Sequence, residues 1–148
     1  MSLFDRSGIK KFVTFTDFTL GNNKIIVPEG IDAMAEWQLL FARVRFTATA
    51  TPANRQLGLT LSDSQGRLLY QVGSRVNIPS GGNVLHTFLP GSRRDNGGVA
   101  PPGFSDFVEI SIPELFVIPR GHTLRFLDFV NRDSNDTLNV SGMIGVLR

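Results

Sequence analysis

Side chains able to move protons are scarce in this chain: two histidines, His86 and His122, and thirteen acids. Hydrolysis by a side-chain nucleophile needs that nucleophile, a base and an orienting acid in one place. Neither histidine has a Gly-x-Ser-x-Gly turn nearby, and each stands at or near the start of a strand-like stretch. Isolated histidines in such positions are ordinarily partly buried structural side chains. Ser105-Asp106 sets a hydroxyl beside a carboxylate without an evident base. Paired carboxylates of the glycosidase kind are neither shown nor excluded by spacing. No phosphate-binding glycine loop followed by Lys-Ser/Thr occurs, and the chain has no cysteine, which removes disulfides, zinc-thiolate sites and thiol nucleophiles together. The sequence therefore names no catalytic residue and no cofactor.

The nearest approach to a metal motif is Asn131-Arg132-Asp133-Ser134-Asn135-Asp136. Calcium needs several oxygen ligands, and Asp133, Asn135 and Asp136 offer them. The EF-hand spacing and its distal Glu are missing, however, and Arg132 brings a positive charge to the same place. Asp, Ser and Asn are also what a tight turn between strands requires, so the segment reads as a turn and no metal is expected.

Charge is balanced, at +2, with twelve Arg but only Lys10, Lys11 and Lys24 as lysines. Arg favours bidentate, partly dehydrated contacts of the kind found in protein interfaces. Nucleic-acid binding would call for a basic cluster interleaved with aromatics, whereas here only Arg93 and Arg94 are adjacent. No nucleic-acid partner is expected. Residues 1–11 lack the apolar run of a signal peptide, and no stretch is long enough to span a bilayer, so the expectation is folding in a cytoplasm without a membrane partner.

The elements that must carry these residues are strands. Lys11–Leu20, Lys24–Val27, Trp37–Ala50, Leu57–Leu61, Arg67–Val72, Val84–Leu89, Phe107–Ile112, His122–Val130 and Thr137–Leu147 alternate or run apolar, with turn residues between them. The one stretch near helical spacing, Gly30–Leu40, is too short for more than a turn. Eight or nine short strands predict a single all-β domain over residues 1–148, an antiparallel β-sandwich. Twelve Phe against one Trp and one Tyr supply dry core contacts. Asp63-Ser64-Gln65-Gly66 is the clearest hairpin, with Asp able to bond the backbone and Gly free to take positive φ. Val27-Pro28-Glu29-Gly30 and Ile118-Pro119-Arg120-Gly121 share a second kind of corner, in which Pro presets φ and Gly closes the turn.

Two features point outward. Strict alternation along Trp37–Ala50 puts Leu40, Ala42, Val44, Phe46 and Ala48 on the core face, leaving Trp37, Leu39, Phe41, Arg43 and Arg45 opposite. His122–Val130 likewise places Arg125, Leu127 and Phe129 opposite its core residues. Large apolar residues beside Arg on an outward face indicate a subunit interface, and a homo-oligomer, preferably a trimer, is expected. The Gly- and Pro-dense stretch Pro90–Ser105 is the first choice for loop contacts, through Arg93, Arg94 and Asp95. Residues 1–11 form a candidate N-terminal arm with Leu3 and Phe4 as anchors.

The order of features resembles small β-sandwich structural proteins of tailed-bacteriophage virions. The resemblance lies in Trp37-Gln-Leu-Leu-Phe-Ala-Arg-Val-Arg-Phe-Thr-Ala-Thr-Ala50, then Pro52-Ala-Asn-Arg55 leading into Leu57-Gly-Leu-Thr-Leu-Ser-Asp63. It continues in Ile112-Pro-Glu-Leu-Phe-Val-Ile-Pro-Arg-Gly-His-Thr-Leu-Arg125 and the polar turn Asp133 to Asp136. These motifs mostly encode strands and corners and bring no catalytic residue with them. The resemblance implies a jelly-roll-like, oligomeric virion component assembled in a host cytoplasm. Such a component would be a capsid decoration or cement protein contacting the major capsid or other virion proteins, or alternatively a tail, neck or fibre part. A carbohydrate-binding module is a separate reading, for which Trp37 and Tyr70 are the candidate sugar platform, and a sandwich hydrolase ranks after it.

Overall fold

The alternating stretches become strands in the structure, a computed structural model that describes residues 8–26, 35–91, 100–130 and 135–147. In chain order they are β1 (Lys11–Asp17), β2 (Asn23–Ile25), β3 (Trp37–Thr47), β4 (Leu57–Ser62) and β5 (Leu68–Gly73). Then come β6 (Asn83–Pro90), β7 (Asp106–Ile112), β8 (Val117–Ile118), β9 (Thr123–Asp128) and β10 (Thr137–Val146). No helix occurs among the described residues. Nine strands coincide with stretches read from the sequence; β8, two residues long, is too short to show alternation.

The strands form two facing sheets. Sheet A has the order β1-β10-β3-β6-β7, with β8 continuing the β6 side of β3, and sheet B has the order β2-β9-β4-β5. The inner surfaces meet in one core, where Val44, Phe46, Phe88, Val108 and Val140 of sheet A oppose Leu59, Leu124 and Phe126 of sheet B. The Phe88 and Phe126 rings meet edge-on at 5.1 Å across the interlayer space. Each large ring buried this way contributes about 2–3 kcal/mol.

The expected wholly antiparallel pairing is corrected at one place: β7 runs parallel to β6. Parallel neighbours cannot be joined by a tight hairpin, so the chain must travel back along the strand before re-entering. That is the physical reason for the long Pro90–Ser105 stretch. Its last residues are pinned to the start of β6, where Asn83 Nδ2 donates to the Gly103 carbonyl and Ser105 N–H to the Asn83 carbonyl, both at 2.7 Å.

The hairpin between β4 and β5 follows its residues' chemistry. Asp63 Oδ1 accepts the N–H groups of Gln65 and Arg67 at 2.9 Å, and Gly66 takes φ +81°. Gly121, with φ +70°, closes the Pro119 corner, where the His122 N–H reaches the Pro119 carbonyl. The companion corner Val27–Gly30 lies outside the described residues.

A second correction concerns β3. Met143 of β10 pairs with Phe41 and Ile144 with Leu39, so Leu40 is an extra residue, a β-bulge. Because side chains alternate with period two, one extra residue reverses the facing of everything before it. Trp37 and Leu39 therefore turn into the core beside Ala42, Val44 and Phe46, at 7% and 0% exposure. Leu40, expected in the core, is only half buried.

Candidate functional surfaces

The bulge leaves Phe41, Arg43 and Arg45 on the outside of sheet A, where both arginines are exposed and Phe41 is half buried. Arg45 is held in place: its Nε donates to Asn83 Oδ1 at 2.9 Å and its guanidinium lies 5.0 Å from the centre of the Phe104 ring. Leu85 opposes Arg45 on β6 and Phe107 follows on β7, so this outer face mixes apolar and cationic groups in one row. Trp37 and Leu39 do not belong to it.

On the outside of sheet B, Arg125 of β9 stands in a row with Ile25 of β2 and Thr60 of β4. Its Nε is covered by neighbouring atoms without meeting an acceptor. Leu127 is buried on this same outer side, because Phe129 folds back over the sheet. The Phe129 ring occupies the space above Gly58 and Gly73, two glycines directly opposite each other on β4 and β5. A side chain at Gly58 would run into that ring, and a Cβ at Gly73 would lie 2.9 Å from it. An aromatic laid over a cross-strand glycine pair restores the packing that the glycines omit. Ile25, Leu68, Leu69 and Phe129 stay exposed around it. Arg125, Leu127 and Phe129 thus share one outer surface, as spacing indicated.

Leu3 and Phe4 of the expected arm, and Arg93, Arg94 and Asp95 of the expected contact loop, lie outside the described residues.

The loops at one end of the sandwich are tied by a buried ion pair that spacing did not reveal. Arg55, just before β4, and Asp136, just before β10, are both wholly buried, with Nε to Oδ2 at 2.6 Å. Arg55 also donates to the Thr51 carbonyl at 2.9 Å and to Thr49 Oγ1 at 3.1 Å, while Asp136 Oδ1 accepts the Thr49 N–H at 2.8 Å. The main-chain N–H of Arg55 reaches Asn77 Oδ1, so the loop before β6 is tied to the same residue through its backbone. Arg suits the role because its planar fork satisfies several acceptors at once. Asp136 is therefore committed to a cation of the chain itself. Among the described residues no group of three or more His, Cys, Asp or Glu side chains is placed to hold a metal ion, and Asp133 lies outside them.

A second pin sits at the same end. Lys24 points inward from β2, nearly buried, and donates to Asp17 Oδ1 at 3.1 Å and to Thr19 Oγ1 at 2.7 Å. Partial burial raises the Asp17 carboxyl, but the bonds from Thr19 and Lys24 outweigh it and leave the group below its usual range. This pin holds a loop that presents Phe18 and Leu20 to solvent.

The two histidines lie on different elements and share no contact. His86 is buried on the core side of β6 with neither ring nitrogen hydrogen-bonded. Burial drives its pKa down to about 4, against weaker opposing contributions from the Val84 and Val44 backbone and from Asp106. His122 Nδ1 lies 2.9 Å from the Arg120 carbonyl in the Pro119 corner. Of the two aromatics considered for a sugar platform, Trp37 is in the core and Tyr70 packs on Phe116 at 5.2 Å, where burial raises its phenol. No protein-family model, curated protein or solved structure matches this chain significantly.

Proposed function

We propose that this chain is a non-enzymatic structural subunit of a phage-type virion, a jelly-roll building block that self-associates and decorates a capsid. The jelly-roll reading is supported by nested pairing. β4 pairs with β5, β3 with β6, β2 with β9 and β1 with β10, all antiparallel. One long hairpin whose successive pairs fall alternately in sheet B and sheet A, then rolled up, produces that order. β7 and β8 are additions to its return arm. Fold alone does not assign function. The observation that carries the role is the outer surface of sheet B, where exposed Ile25, Leu68, Leu69 and Phe129 share the face with Arg125 and its unsatisfied Nε. Apolar residues around an arginine are the composition of a contact surface. The virion assignment comes from the sequence resemblance. Mass spectrometry of particles purified from a lysate of cells expressing the surrounding genes tests it. The expected result is this chain in many copies per particle; particles that lack it contradict the proposal.

A further inference from the structure

The sheet edges differ in how they are protected. An edge strand offers unpaired N–H and C=O groups to any other strand, and proteins normally blunt it with charges, proline or extreme shortness. β1 carries Lys11 and Asp17, the three-residue β2 carries Lys24, and β7 carries Asp106 and Glu109. β5 reads Leu68-Leu-Tyr-Gln-Val-Gly73, with no charge and no proline. Among the described residues its backbone bonds only to β4. A bulge does interrupt the β4–β5 ladder, but at the hairpin end, leaving Leu69 as the extra residue and Tyr70–Gly73 regular. Leu68 and Leu69 are 54% and 55% exposed beside this open edge.

From this we infer that β5 is a joint at which a second copy of the chain adds its own β5, antiparallel across a two-fold axis, extending sheet B from four strands to eight. The inference rests on the self-association proposed above and names where it occurs. Facing decides the register. Side chains opposite each other must share a face, and Leu69, Gln71 and Gly73 are outward while Tyr70 and Val72 are inward. Placing Gln71 on the axis pairs Tyr70 with Val72 of the second copy on the core side. It also pairs Leu69 with Gly73 of the second copy, where the missing side chain leaves room for leucine beside the Phe129 ring. In this register Arg75 stands opposite Arg67 of the second copy, a cation already paired with its own Asp63, Nε to Oδ2 at 2.7 Å.

Gln71 is exposed and makes no core contact, so its replacement tests the joint without disturbing the fold. Gln71→Lys and Gln71→Glu each set like charges against each other on the axis and should weaken the dimer roughly tenfold or more. Mixing the two variants should restore it. Unchanged circular dichroism and melting would show that both variants are folded. In the wild type, the amides of Leu68–Gly73 should exchange with deuterium slowly when associated and faster on dilution. This exchange measurement decides the matter even if a variant misfolds. A Gln71→Lys chain that keeps the wild-type mass, or variants whose mixture fails to reassociate, would overturn the edge joint and leave self-association by another surface standing. A trimer with fast-exchanging β5 amides would do the same. A wild type that is monomeric at every concentration would overturn both readings.

Discussion

At the residue scale two buried polar features, an ion pair and a histidine, govern stability. Arg55 and Asp136 are paired at zero exposure, so removing one partner strands the other's charge in the interior. Asp136→Asn is expected to cost about 3–5 kcal/mol in denaturant unfolding. The double variant Arg55→Met/Asp136→Asn should cost less than the two single changes added together, because no uncompensated ion remains. His86 predicts the pH dependence. Its folded pKa, about 4, lies below its ordinary value of 6.5, so the unfolded chain binds more protons between those limits. Stability therefore falls as pH drops from 6.5 toward 4, by about 3 kcal/mol in all, and is insensitive to this group at neutral pH and above. His86→Leu should flatten that segment of the stability curve, measured by melting against pH. Asp17 and Asp63, both held below the ordinary 3.8, act in the same direction at lower pH: the stability they add is complete above that value and is lost as pH falls through their lowered pKa values. None of this was legible in the sequence. An Arg and an Asp eighty-one positions apart look like any two surface charges until the fold converges their loops.

At the element scale the alternation of apolar and polar residues was enough to locate nine of the ten strands among the described residues, because a half-buried strand must obey period two. Facing was legible only as far as that period ran unbroken. On β9 it did, and Arg125, Leu127 and Phe129 share the outside of sheet B. On β3 the extra Leu40 broke it, and Trp37 and Leu39 went inward. Nothing in a run of Trp-Gln-Leu-Leu-Phe distinguishes a bulge from a regular strand, since every residue is compatible with both. Direction was also hidden, because a Gly- and Pro-rich connection suits a mobile loop and a parallel crossover equally. The Phe129 lid gives a sharp test of the outer face of sheet B. Gly58→Ala must expel the ring, exposing Leu127 and lowering stability by about 1–3 kcal/mol, the usual cost of overpacking. Phe129→Ala in the same background should remove most of that penalty, a coupling that a double-mutant cycle of melting curves reads directly.

At the scale of the whole molecule, the structure invests in rigidity. A buried ion pair fastens two loops, a buried lysine fastens another, and one continuous hydrophobic core joins two sheets. Among the described residues two open regions are largely apolar: the outer surface of sheet B and the uncharged edge at β5. A rigid sandwich with an unprotected edge is suited to being one piece of a larger array, and the virion proposal gives that array a name. The central claim is that the chain does not exist alone. Its molar mass in solution, measured by light scattering across the micromolar range at neutral pH, tests this most directly. The expected species has about twice the mass of the 16.3 kDa chain and dissociates on dilution. A constant 16.3 kDa at every concentration would contradict it.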